Sequence, residues 1–366
     1  MHVNAKWKVL AAGGAVVTAF LAAGPLQHLG VLPETSVGDA SKAMIKAALD
    51  AVPMKGTLTY AKPGPDGTEQ VVWRYGRLPD EKERAKARAN VETALYSQRQ
   101  LLEDAFAALR AGEPGRVNLY LLAVAGDGFQ EVFRREVDYV EQQFSERFDT
   151  AGRAVTLVNS RSTAATAPMA TLTSIREALR AIAARMQVEE DILFVFLTSH
   201  GTRDHELRLR ENGMELEDLR APVLAGLLRE SGIRWKVVVV SACYGGGFIE
   251  DLQDGHTLVI AAARKDRRSF GCKDDNDFTY FGRAYFKESL PKASSFEDAF
   301  HRAEILVHDW ELKDVTKATQ GGLALRKRLD ENRSLPQISS SPAVASHLRR
   351  WWMENEQLKP LKPDPR

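Results

Sequence analysis

The chain has 366 residues, which is enough for one large or two modest domains with a full hydrophobic core. Its 50 lysines and arginines balance 49 aspartates and glutamates, and the net charge of +1 gives no support to nucleic-acid binding, which needs a basic excess or stripe. Two cysteines are too few for a disulfide framework or a four-thiolate zinc site, and no CxxC or HExxH pattern occurs. The sequence therefore predicts no metal and no cofactor.

Residues 1–33 have the pattern of an export signal. Lys6 and Lys8 precede an apolar stretch, and no Asp, Glu, Lys or Arg occurs from Val9 to Pro33. A basic flank, an apolar core and small residues are typical of a secretory signal peptide, and an uncleaved membrane anchor is the second interpretation. We expect the rest of the chain to lie outside the cytoplasm, in the periplasm or anchored in the inner membrane facing it. A buried Ala-rich helix is the alternative.

Residues 34–115 are predicted to be an accessory helical segment. In the long stretch from Asp80 to Arg110, apolar residues recur with the spacing of one helix face, and the glycines and proline from Ala111 to Gly115 end it. The segment contains no catalytic motif. A cap over the active site, an interaction helix and a pro-region are all open.

From residue 116 the sequence changes to apolar strands that alternate with helices. The predicted strands are Val117–Val124, Ala154–Val158, Ile192–Thr198, Val237–Val240 and Thr257–Ala261. The predicted helices are Phe133–Phe148, Leu172–Met186 and Asp218–Glu230, and a small hairpin joins Leu207–Leu209 to Met214–Leu216 around Asn212 and Gly213. Because the strands are apolar on both faces, we expect an α/β fold in which helices cover both sides of a mostly parallel sheet.

We assign residues 116–312 to this domain and residues 313–366 to a C-terminal helical segment and tail. The part from Leu335 onward is rich in Ser, Pro, Lys and Arg. It is expected to be loosely held unless Trp351 and Trp352 dock it.

Two of the predicted strands end in reactive side chains. The strand Ile192–Thr198 leads into His200, and the strand Val237–Val240 leads into Cys243. Ligands of parallel sheets bind beyond the carboxyl ends of the strands, and the intervening segment is long enough for a crossover that makes the two strands neighbours. An imidazole and a thiol facing one cleft are the two groups that a cysteine hydrolase needs. Either residue alone would be interpreted as an ordinary core or strand-end residue.

Glycines adjoin both reactive residues. Gly201 leaves the backbone N–H beside His200 unobstructed, and the glycines from Gly245 to Gly247 let the chain turn sharply after Cys243 into a helix. A thiolate near a helix N-terminus is stabilised by the helix dipole. The backbone N–H groups of Gly201 and Cys243 are the expected donors to an oxyanion.

These motifs resemble the caspase and legumain clan of cysteine peptidases. The finer resemblance is to the legumain-like C13 family, which includes asparaginyl endopeptidases and the catalytic subunit of the GPI transamidase. One apolar block that ends in His-Gly and another that ends in Ala-Cys carry it. Further similar segments are Leu121–Phe129, Arg134–Asp138, Ala261–Cys272 and Tyr280–Gly282, so the similarity covers about residues 117–310. It implies a caspase-like three-layer α/β/α sandwich.

The resemblance also implies a role for each site residue. Cys243 is the expected nucleophile, which attacks a peptide carbonyl to give an acyl-enzyme, and His200 is the expected general acid and base. Arg134 and Ser269 match pocket positions that contact the residue before the scissile bond. Cys272 is expected to have a structural or pocket-lining role.

Departures from the family pattern bear on the pocket. Asparagine-selective members have an acidic residue two positions before the nucleophile, where this chain has Ser241. They have another after the Tyr-Leu-Gly-like turn, where this chain has Arg283, and the family's histidine after the first pocket arginine is Arg135 here. Because arginine binds carboxylates through paired hydrogen bonds, Arg134 and Arg283 predict a pocket that accepts Asp at least as readily as Asn.

The sequence thus predicts an exported, bacterial-type cysteine endopeptidase that cleaves protein or peptide substrates after Asp or Asn. Two alternatives are open. A transpeptidase or transamidase of the same family would resolve the acyl-enzyme with an amine instead of water. A catalytically silent caspase-like binding module would keep the fold alone. Membrane association through the N-terminal segment is the one further partner expected, and no nucleic acid is.

Overall fold

The computed structural model describes residues 81–211, 214–272, 274, 276–317 and 333–355. The predicted signal or anchor and the accessory segment before residue 81 lie outside these ranges. The described residues from Lys82 onward form one compact unit. Within the described ranges, no helix combines the length and the apolar character that crossing a membrane requires.

The largest structural element is a mixed, mostly parallel sheet. The strands are β1 (Leu119–Ala125), β2 (Ala154–Val158), β3 (Ile192–Thr198), β4 (Glu206–Leu207), β5 (Arg210–Glu211), β6 (Met214–Glu215), β7 (Leu219–Arg220), β8 (Trp235–Ser241), β9 (Thr257–Ala261) and β10 (Gln337–Ser339). The main sheet has six strands in the order β10-β9-β8-β3-β1-β2. Neighbouring strands run parallel except β10, which is antiparallel to β9. The pairs β4–β7 and β5–β6 form two small ribbons.

Helices connect and cover the strands. They are α1 (Glu81–Ala107), α2 (Glu131–Phe148), α3 (Leu172–Ala183), α4 (Ala221–Glu230), α5 (Ile249–Leu252), α6 (Tyr280–Gly282), α7 (Phe296–Lys317) and α8 (Pro342–Glu354). Short 3-10 turns cover Gly245–Phe248 and Leu290–Lys292, and a π-helical turn covers Arg283–Ser289. The start of α3 is a capping box, in which the Thr171 hydroxyl accepts from the Ser174 N–H and the Ser174 hydroxyl accepts from the Thr171 N–H.

The central strands are buried on both faces, so alternate residues belong to two separate cores. On β3, Phe194 and Phe196 pack in one core with residues of α2, α7 and α8. Leu193, Val195 and Leu197 pack in the other core with residues of α3 and α4. The predicted three-layer α/β/α sandwich around a mostly parallel sheet is confirmed.

The C-terminal region contributes a strand and a helix to the fold. Residues Gln337–Ser339 pair with the edge of the sheet, with Ile338 opposite Ile260 of β9. Helix α8 follows and buries Trp351 and Trp352 in the core it shares with α2 and α7. The docking of Trp351 and Trp352, which the sequence left open, therefore holds the tail up to residue 355, because two indole rings are buried there.

The predicted small hairpin pairs differently. Strand β5 pairs with β6, with Glu211 opposite Met214. Leu207 belongs instead to the second ribbon, where it lies opposite Leu219. Helix α4 consequently begins at Ala221, later than predicted, because the two residues before it are extended.

His347 of α8 is buried where this helix meets the sheet. Its ring stacks on Trp235 with the centroids 4.1 Å apart. Nε2 lies 2.9 Å from the Glu190 carbonyl oxygen, and Nδ1 lies 3.2 Å from Arg350. Burial lowers the pKa of His347 below its ordinary value of 6.5, and the charge of Arg350 acts in the same direction. The site therefore fits a neutral imidazole that donates to the carbonyl and accepts from the guanidinium.

We expect the free energy of unfolding to fall as the pH is lowered through 6.5, because the unfolded chain binds a proton at His347 more readily than the folded chain. His347→Gln should reduce this slope, and denaturant titrations at several pH values measure it. His301→Gln is the control, since the His301 side chain is 63% exposed. Equal slopes in the wild type and His347→Gln would contradict this expectation.

Candidate active site

The carboxyl ends of β3 and β8 lie side by side. The two strands pair residue for residue along their whole length, and the last pair is Thr198 opposite Ser241. His200 lies two residues after Thr198, and Cys243 lies two residues after Ser241. The register therefore brings His200 and Cys243 to the same level of the sheet edge. The expectation that these two strands are neighbours is confirmed.

Gly201 is the point at which the two strand ends meet. A Cβ atom added there would lie 1.9 Å from the carbonyl oxygen of Cys243, so only glycine allows this approach of the two backbones. Gly201 also forms an antiparallel bridge with Leu207. In the hydrogen-bond ladder of this bridge, the neighbouring Arg208 N–H donates to the His200 carbonyl oxygen. Because Gly201 occupies a non-hydrogen-bonded position of the ladder, the ladder does not use its N–H. This N–H stays a predicted oxyanion donor.

The thiol of Cys243 is half-buried against the loop after β9 that contains the predicted pocket residue Ser269. Its Sγ atom lies 3.6 Å from both the carbonyl oxygen and the hydroxyl of Ser269. The next residue, Tyr244, has a φ of 59°, in the left-handed region that non-glycine residues seldom adopt. Its N–H donates to the Arg267 carbonyl oxygen at 2.7 Å. This turn reverses the chain after Cys243 as predicted and places the thiol beside Ser269.

Positive charge near the thiol comes from side chains. Arg268 donates to the Tyr244 hydroxyl at 3.2 Å, and Arg203 donates to it at 3.4 Å. The Tyr244 hydroxyl and, to a lesser degree, Cys243 raise the pKa of Arg268. The helical pieces after Cys243 are a 3-10 turn and the four-residue α5, so the helix dipole contributes less than predicted. Sequence reasoning missed both arginines, although Arg268 belongs to a visible run of basic residues.

His200 lies on the face of the sheet that α2 covers. Its ring meets Phe133 edge-on, with the centroids 5.2 Å apart and the planes at 83°. Period two along a strand places His200 on the same face as Thr198. The imidazole is therefore held by a helix on one side and by the sheet edge on the other.

Two of the predicted pocket residues are arginines that already face carboxylates. Arg134 donates to Glu131 at 2.7 Å and to Asp138 at 2.6 Å. Arg283 donates to Glu288 at 3.3 Å. Because these partners compensate part of the positive charge, the two arginines argue less strongly for Asp over Asn than the sequence alone suggested.

A buried carboxyl group, which sequence reasoning did not single out, lies between α2 and the sheet. Glu136 accepts from the hydroxyl of Thr198 at 2.6 Å, and from the N–H and the hydroxyl of Thr279 at 2.8 and 2.7 Å. The hydroxyl of Ser241, the third predicted pocket residue, lies 3.2 Å from that of Thr279. Burial raises the pKa of Glu136, and the hydrogen bonds oppose this effect. The sequence signal that could have identified Glu136 is its position three residues after Phe133, on the apolar face of α2.

Comparison with known proteins adds to this geometry. The sequence model described as the Peptidase C13 family matches residues 181–327. The C13 match includes both strand ends with His200 and Cys243, as well as Ser269 and Arg283, and it begins after Arg134. It supports a cysteine peptidase or a transamidase. None of the curated proteins matches the chain.

We expect Gly201→Ala to lower the free energy of unfolding by at least about 2 kcal/mol, because the new methyl group would overlap the Cys243 carbonyl. Gly226→Ala in α4 is the matched control. Nothing lies within 4 Å of a Cβ at that position. Alanine in a helix interior stabilises by up to about 1 kcal/mol. Urea titrations compare the two variants, and similar stabilities would contradict the close contact at Gly201.

Proposed function

We propose that the chain is a cysteine endopeptidase in which Cys243 is the nucleophile and His200 is the general acid and base, with Asp or Asn before the scissile bond. The observation that carries the proposal is the meeting of the two strand ends, in which β3 and β8 finish in register and Gly201 lies against the Cys243 carbonyl. A thiol and an imidazole at one sheet edge are the pair that acyl transfer requires. The C13 match supports it further, since it spans both residues.

The catalytic cycle follows from these groups. His200 takes the thiol proton as the sulfur of Cys243 attacks the peptide carbonyl carbon, and the N–H groups of Gly201 and Cys243 donate to the developing oxyanion. The C–N bond then breaks, and His200 passes its proton to the leaving amine. Neutral His200 next activates a water molecule, which cleaves the thioester and restores the thiol. Arg268 supplies positive charge near the sulfur.

The surroundings of the thiol favour a short polar side chain before the scissile bond. Ser269 contacts Cys243 directly, and Ser241 lies two residues before it on the strand. The Ser269 hydroxyl can donate to an Asp carboxylate or to an Asn amide oxygen, and a hydroxyl oxygen can accept from an Asn amide. A basic side chain would face the like charge of Arg268.

The first prediction for this mechanism concerns the two reactive residues. Cys243→Ala and His200→Ala should each lower kcat/KM for a reporter peptide by at least about 1000-fold, because each removes a group that takes part in bond breaking. Cys272→Ala is the matched control, since it removes the chain's other thiol, and it should keep activity close to the wild type. Far-UV circular dichroism checks that all three variants fold.

Retention of full activity by His200→Ala would contradict the mechanism. In the same assay an added amine such as hydroxylamine or a glycine peptide distinguishes water from an amine as acceptor. Transfer to the amine in preference to hydrolysis would identify a transamidase with the same catalytic pair.

The second prediction concerns the residue before the scissile bond. In a panel of peptides that differ only at this residue, Asp and Asn should give kcat/KM values at least about tenfold above those of Leu and Lys. Liquid chromatography with mass spectrometry of the products gives both the rate and the cleaved bond. Preferred cleavage after Lys or Leu would contradict the assignment of the pocket.

A further inference from the structure

A polar layer lies inside the fold, below the proposed catalytic pair. We use this name for Glu136, Thr198, Ser241 and Thr279, which come from α2, β3, β8 and the loop that leads into α6. All four residues are buried, with at most 2% of each exposed. A carboxyl group in such a place is costly unless hydrogen bonds satisfy it, so its partners indicate what it does.

The polar layer is attached to both reactive strand ends. Thr198 and Ser241 are opposite each other in the register of β3 and β8. Each lies two residues before a reactive residue, His200 in one strand and Cys243 in the other, and side chains two residues apart share a face of the sheet. The polar layer therefore lies next to the proposed reacting groups, on the same face of the sheet and two residues nearer the middle of each strand.

The hydrogen bonds of the polar layer have a fixed direction. The Thr279 hydroxyl donates to Glu136 at 2.7 Å and accepts from the Gly282 N–H at 3.0 Å. Its proton is thus used, and in the 3.2 Å contact with Ser241 the serine must donate. Thr198 also donates to Glu136. Thr198 and Thr279 therefore donate to Glu136, and Ser241 donates to Thr279. Both lone pairs of the Ser241 oxygen remain available to accept hydrogen bonds.

The loop that leads into α6 contacts the Glu136 carboxyl group. A Cβ atom added at Gly282 would lie 1.9 Å from Oε1 of Glu136, so the backbone of the loop approaches the carboxylate directly. The Thr279 N–H donates to the same oxygen at 2.8 Å. One side chain of α2 thus holds the loop at two adjoining points.

We propose that Glu136 is a positioning residue that sets the choice between Asn and Asp before the scissile bond. The proposal rests on the proposed function. The Glu136 carboxyl group orients Thr279 and Ser241 so that the pocket presents a hydrogen-bond acceptor at Ser241. An acceptor favours the amide of Asn, which donates hydrogen bonds, over the carboxylate of Asp, which cannot.

Replacing this carboxyl group should shift selectivity towards Asp. We expect Glu136→Gln to lower the ratio of kcat/KM for Asn over Asp peptides by about tenfold, because the Gln amide brings hydrogen-bond donors into the polar layer and disturbs the hydrogen bonds that orient Ser241. Glu141→Gln is the matched control, because Glu141 lies on the same helix and is exposed. It should leave the ratio unchanged. The measurement uses the whole chain and two peptides that differ only in Asn or Asp.

A second variant keeps the test valid if Glu136→Gln folds poorly. Ser241→Ala removes the oriented acceptor and should lower the same ratio, and a thermal melt verifies folding of each variant. A purely structural role of Glu136 would lower kcat/KM for both peptides equally, and an unchanged ratio in a folded Glu136→Gln or Ser241→Ala variant overturns the proposal. Failure of the wild type to cleave either peptide would instead overturn the proposed function, and the selectivity role with it.

Discussion

The in-register pairing of β3 with β8 determines where the reactive groups lie. A slip of one residue would send His200 to the opposite face of the sheet from Cys243, because side chains alternate along a strand. Burial prevents such a slip, since Phe196 and Val239 must both enter the same core. Beyond the last pair, the contact of Gly201 with the Cys243 carbonyl leaves no space for another arrangement. The burial that stabilises the sheet thus also positions the thiol and the imidazole.

Helix α2 connects this sheet edge to the loop that follows β9. Glu136 accepts hydrogen bonds from the N–H and the hydroxyl of Thr279. Arg135 donates to the carbonyl oxygens of Asp274 and Asn276. Burying the Glu136 carboxyl group costs free energy, and the hydrogen bonds from Thr198 and Thr279 offset this cost. The arrangement of hydroxyl groups below the pocket is what this carboxyl group adds.

Much of the sheet could be predicted from the sequence because its strands are unbroken apolar runs. The bounds of β2, β3 and β9 are those predicted, whereas β10 has a single apolar residue, Ile338, and forms only by pairing with β9. His200 and Cys243 could be found because they follow apolar runs and adjoin glycines. For Glu136 the sequence shows only a carboxyl group on the apolar face of α2, and its partners could not be predicted, since Thr198 and Thr279 are far from it in the sequence and bear ordinary hydroxyl groups. Long-range pairing of this kind leaves no local pattern.

The most direct test of the account is to trap the acyl-enzyme. The wild-type protein is mixed with a peptide substrate, quenched in acid within the first turnover, digested and analysed by mass spectrometry. The account predicts a thioester on Cys243 with the mass of the amino-terminal product. Cleavage without any adduct, or an adduct on Cys272, would contradict it.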